Sequence, residues 1–87
     1  MTPSAAKGND PERWEKLLVL LDEKLQLGLL DYLNRVNSYH FEADTLFIEP
    51  GSEADTTYLK RDPVLRQLEL FAQDATKVER VKLKSPG

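Results

Sequence analysis

The sequence has no cysteine and a single histidine, His40. Without thiols there is no disulfide, no thiolate metal site and no cysteine nucleophile, and one imidazole among scattered carboxylates makes neither a zinc nor a haem site. No metal and no cofactor are expected. Glycine is scarce as well, four in 87 residues, and it never occurs in the clustered pattern with a following lysine that cradles phosphates. Long apolar runs are missing too. The longest, Leu17 to Leu21, is far short of the roughly 20 residues that span a bilayer. The opening MTPSAAKGN has neither the basic nor the apolar region of a secretion signal. The expectation is a cytoplasmic protein without a membrane segment.

What is present suits one small core. With 40% hydrophobic and 31% charged residues, a chain of this length folds as a single domain whose stability is on the order of 5 kcal/mol. Its charge is unevenly placed. Met1 to Leu59 carries five Lys/Arg against eleven Asp/Glu, a balance of −6, and Lys60 to Gly87 carries seven against four, a balance of +3, which together make the net −3. Such polarity either orients a partner or only records solvated faces of different composition.

Periodicity divides the chain into elements. Residues 1–9 read as a polar linker, residues 10–84 as the domain and residues 85–87 as a tail. Asp10-Pro11-Glu12 has a capping acid, a first-turn proline and a second acid near the positive helix end. Trp14, Leu17, Leu18, Leu21 and Leu25 then recur at helical spacing. A second helix is predicted over about 27–36, with Leu29, Leu30, Leu33 and Val36 inward. From Ser38 the period becomes two, which predicts a β-hairpin that turns at Ala43-Asp44 and stops at Pro50-Gly51. Ser52 followed by Asp55 has capping-box spacing and predicts a short helix over about 53–60. Asp62-Pro63 kinks and restarts it, because proline disfavours a helical residue before it. A last strand is predicted over 78–84. The fold class is therefore α+β, in the order α-α-β-β-α-β, with the helices on one face of a small three-stranded sheet. Its expected core includes Trp14, Leu17, Leu21, Leu30, Leu33, Phe41, Leu46, Ile48, Leu65, Leu68, Phe71, Val81 and Leu83.

Catalytic chemistry finds little to work with. In PGSEAD, one glycine and two acids oppose phosphate binding, so the segment reads as a strand-to-helix connection capped by Ser52. His40 falls on the polar face of a strand without a nucleophile or partner pattern. The expectation is a binding module and not an enzyme. The element order is that of KH-type modules, which grip single strands with a Gly-x-x-Gly loop, and no such tetrad occurs in the sequence. Arg80, Lys82 and Lys84 form a cationic row on one strand face. They read as residues that guard a sheet edge, the alternative being a weak attraction for single-stranded nucleic acid.

The segments WEKLLVLLDEK, LLDYLNRV, DTLFIEP, TTYLKRD, PVLRQLELFAQDATK and VERVKLK, taken together, resemble the C-terminal domain of the bacterial DNA polymerase III gamma/tau subunit, part of the clamp loader. The amino-terminal domain of the bacterial replication initiator is similar too. The resemblance spans about Glu12 to Lys84 and implies a KH-like fold used for contacts with replication proteins, polymerase or helicase subunits, by a domain that is monomeric in isolation. The ATPase of the clamp-loader subunit lies in a separate amino-terminal part, so no ATPase role transfers. Aromatic residues are favoured interface anchors. Trp14 and Tyr32 are the candidates for partner binding on the helical surface, against the plainer reading of Trp14 as a cap of the core and Tyr32 as a surface residue.

Overall fold

The first helix begins where its capping chemistry places it. A computed structural model of the chain describes residues 8–84. In it α1 spans Pro11–Glu23, with the Asp10 carboxylate accepting from the Arg13 backbone N–H and a proline in the first turn. Trp14, Leu17 and Leu21 are buried along its inner stripe. Leu25 is not part of that stripe, being 78% exposed. The helix has ended by then and Leu25 takes a left-handed φ of 59°. The reversal lets the N–H groups of Leu25 and Gln26 reach the carbonyls of Asp22 and Leu21, which satisfies the helix end and swings the Leu25 side chain outward. Helix α2, Leu27–Asn34, buries Leu29 and Leu33 and stops two residues short of Val36.

Strands β1, Ser38–Glu42, and β2, Thr45–Glu49, form the expected hairpin. Their pairing runs from Ser38 opposite Glu49 to Glu42 opposite Thr45, so Ala43-Asp44 is a two-residue turn, with Ala43 at φ 54°. Beyond β2, Gly51 is required by close packing, because a Cβ there would collide with the Arg35 carbonyl oxygen. The Ser52 hydroxyl accepts from the Asp55 N–H and caps α3, Glu53–Lys60. Helix α4, Asp62–Thr76, follows after a single extended residue, Arg61, at ψ 136°. The break lies one position before the expected Asp62. A helix tolerates proline in its first turn, where the missing N–H would have had no intrahelical acceptor, so Asp62 is already helical. The αL residue Lys77, at φ 65°, ends α4.

Strand β3, Arg80–Leu83, joins β2 in parallel, with Leu46 beside Val81 and Ile48 beside Leu83. The sheet order is β1-β2-β3. The architecture of the described residues is thus α+β, four helices with a three-stranded mixed sheet. Tyr39, Phe41, Leu46, Ile48 and Val81 are buried on the sheet's inner face together with Trp14, Leu17, Leu21, Leu29, Leu33, Leu59 and Leu68 from the helices. Of the expected core, Leu30, Leu65, Phe71 and Leu83 are only partly buried at its margin, while Val36, Ala72 and Val78 are inside it.

Each sheet edge has one residue whose backbone is held by a side chain. On β1 the Asn9 amide donates to the Phe41 carbonyl at 2.7 Å and its oxygen accepts from the Phe41 N–H at 2.8 Å, as a neighbouring strand would. On β3 the Glu69 carboxylate accepts from the Val81 N–H at 3.2 Å. These contacts occupy groups that would otherwise template edge pairing. The fold therefore begins before Asp10, since Gly8 lies against the Tyr39 ring and Asn9 pairs with Phe41. The rest of the linker reading, residues 1–7, and the tail at 85–87 lie outside the described residues.

Candidate functional site

Trp14 leaves the list of surface anchors on burial alone. It is 3% exposed and stacks on Tyr39 with centroids 4.4 Å apart and planes 3° from parallel, while Phe41 meets Tyr39 edge-on. Burial pushes the Tyr39 phenol above its ordinary range, and the Asp10 charge adds to the shift. The indole Nε1 has no hydrogen-bond partner among the described residues. Trp14 thus caps the core, the plainer of the two readings.

Tyr32 belongs to a separate cluster between α2 and α3. It is half-buried and stacks on Tyr58 at 4.3 Å, and the Arg35 guanidinium lies 4.5 Å from its ring centroid. Arg35 in turn donates to Asp55 at 3.2 and 3.3 Å and to Asp31 at 2.6 Å. The Asp55 hydrogen bond is the main reason the guanidinium holds its proton more firmly than usual. Tyr32 is therefore a clasp between helices as much as a surface side chain, and its removal would disturb both.

The helical surface has a third feature, which sequence reading missed. Between α1 and α4 runs a groove of about 450 Å³ lined by Glu12, Glu15, Lys16, Val19, Leu20, Glu23, Asp74 and Ala75. Val19 is 49% exposed, and Leu20 and Ala75 are half-buried, so the apolar part is open to a ligand. Four carboxylates against one lysine give the lining a charge of −3. One signal was visible in advance: Val19 is an apolar residue of α1 outside the buried stripe, and the acidic half of the chain contains that helix.

On the other side of the sheet the cations stand as expected. Arg80, Lys82 and Lys84 are all exposed, and Lys82 lies in register with Phe47 of the central strand. His40 is opposite Phe47 on the other flank, with its ring 6.4 Å away and its Nε2 3.4 Å from a Glu42 carboxylate oxygen. No group of three or more potential metal-ligating side chains gathers among the described residues. No helix of those residues is long and apolar enough to cross a membrane. No known protein family, curated protein or solved structure matches the chain.

Proposed function

We propose that the chain is a protein–protein interaction module of the bacterial DNA replication machinery, similar in role to the tail domain of the clamp-loader gamma/tau subunit, and that it works in the cytoplasm. The observation that carries this reading is the acid-rimmed apolar groove between α1 and α4. Apolar contacts supply affinity and a charged rim supplies orientation and rate in such interfaces. The lining charge of −3 selects the occupant: a basic amphipathic helix of a polymerase or helicase subunit, laid with its apolar stripe on Val19, Leu20 and Ala75 and its cations toward Glu12, Glu15, Glu23 and Asp74. Helix-in-groove recognition of this kind places anchors at helical spacing along the ligand. The replication assignment itself rests on the sequence resemblance.

The test is direct binding between the full chain and each purified polymerase and helicase subunit of the source bacterium, measured by calorimetry. One subunit should bind, with affinity that falls as salt rises, and Val19→Glu should weaken it at least tenfold while the melting curve stays in place. Absence of binding to every subunit, or equal binding by Val19→Glu, would overturn the proposal.

A further inference from the structure

The open face of the sheet carries a second site, independent of the groove. Its centre is Phe47, an aromatic side chain on the middle strand that faces away from the core and remains half-exposed. In the alternation of β2 its neighbours Leu46 and Ile48 are fully buried, so Phe47 belongs to the opposite face and fills nothing inside. Cations surround it. Lys82 is its register partner on β3, and the Lys84 amine lies 5.6 Å from the ring centroid. Lys84 keeps the strand alignment, since its N–H donates to the Ile48 carbonyl at 2.7 Å.

We infer that this face binds single-stranded nucleic acid without sequence preference, its sugar-phosphate backbone lying along β3 and a base stacking on Phe47. Arg80, Lys82 and Lys84 alternate along β3, which puts a cation about every 6.6 Å on one face, and none of the three takes part in an ion pair among the described residues. A base has a π-face that stacks on an aromatic ring whatever its identity, and a guanidinium or ammonium row attracts the phosphates that carry it. Four carboxylates lie beside the row. Glu42 is turned to His40, Glu49 accepts from the Asn37 amide at 3.3 Å, and Asp44 and Glu79 stand with Arg80 and Lys82 at the start of β3; the cations lie together along one strand, so the phosphates follow β3. An acidic peptide would meet the same cations but offers a ring to Phe47 only where it happens to carry an aromatic residue, whereas every nucleotide offers a base. The site differs from the Gly-x-x-Gly grip of KH modules, which the sequence lacks.

Fluorescence anisotropy of labelled oligothymidylate with the full chain tests the inference. A dissociation constant on the order of 10⁻⁵ M is expected at low salt, with a logarithmic salt slope of about −2, from ~0.7 for each of three cations. Changing Arg80, Lys82 and Lys84 together to Gln should remove the slope and most of the binding. Phe47→Leu, which keeps an apolar strand residue, should weaken binding about tenfold, the loss of one stacked base, with the slope unchanged, and Phe47→Tyr should bind as the parent does. No binding at low salt, Phe47→Leu binding as tightly as the parent, duplex bound as tightly as single strand, or phosphatidylglycerol vesicles bound in place of the oligonucleotide would each overturn it.

Discussion

Replacing Asn9 with alanine removes both hydrogen bonds that close the outer edge of β1, the one donated to the Phe41 carbonyl and the one accepted from its N–H. Each bond contributes about 0.5–1.5 kcal/mol net, so the pair stabilises the fold by about 1–3 kcal/mol. That is a large share of the stability of so small a core. In a domain of this size a loss of about 2 kcal/mol lowers Tm by about 8–16 °C. Asn9→Asp should fall between alanine and the parent at neutral pH, because a carboxylate accepts from the Phe41 N–H but cannot donate to its carbonyl. Thermal melts followed by circular dichroism measure the loss. Hydrogen exchange locates it, since protection of the Phe41 amide should drop in the alanine variant. A Tm within about 2 °C of the parent, with the Phe41 amide still protected, would refute the pairing and return the start of the fold to Asp10.

Three further perturbations probe other joints of the structure. Gly51→Ala drives a Cβ into the Arg35 carbonyl oxygen and should cost about 1–3 kcal/mol in urea unfolding, as overpacking does; an unchanged midpoint would contradict the close approach. Leu21→Ala, at a fully buried position, should cost about 2–5 kcal/mol, and a change under about 0.5 kcal/mol would contradict its burial. The Arg13 side chain, and then its backbone N–H, hold Asp10 below its ordinary value of 3.8. A depressed folded-state pKa gives stability that is present above the unfolded value and lost as pH falls through the folded one. The stability difference between the parent and Asp10→Asn should therefore be constant at neutral pH and shrink below about pH 4; a difference that grows on acidification would reverse the assignment.

The parts of the fold legible in the sequence are those fixed by neighbours in the chain. Ser52 and Asp55 marked the start of α3 because a cap is a bond between residues three apart, and the hairpin turn followed from an alternation that broke at Ala43-Asp44. What escaped was set by contacts distant in sequence. Asn9 reads as linker until Phe41, 32 residues away, offers its backbone to it. The single tryptophan, Trp14, offers itself as an interface anchor until Tyr39 covers its ring. Leu25 extends the stripe on a helical wheel, but the helix ends before it and the chain turns left-handed. The candidate sites follow the same division. The Arg80, Lys82 and Lys84 row is a pattern within one strand and was visible at once. Its aromatic centre is on another strand, and the α1/α4 groove needs Val19 and Ala75 side by side, which no local period announces.

Whether the proposed replication partner occupies the groove between α1 and α4 is read from a chemical-shift map. The isotope-labelled full chain is titrated with the polymerase or helicase subunit that binds it, and the perturbed backbone amides are assigned. The largest changes are expected at Glu15, Val19, Leu20, Glu23, Asp74 and Ala75, which line the groove, and small ones along β1, β2 and β3. Changes centred on Tyr32 and Tyr58, or on Phe47 and the cations of β3, with the groove amides unmoved, would contradict it.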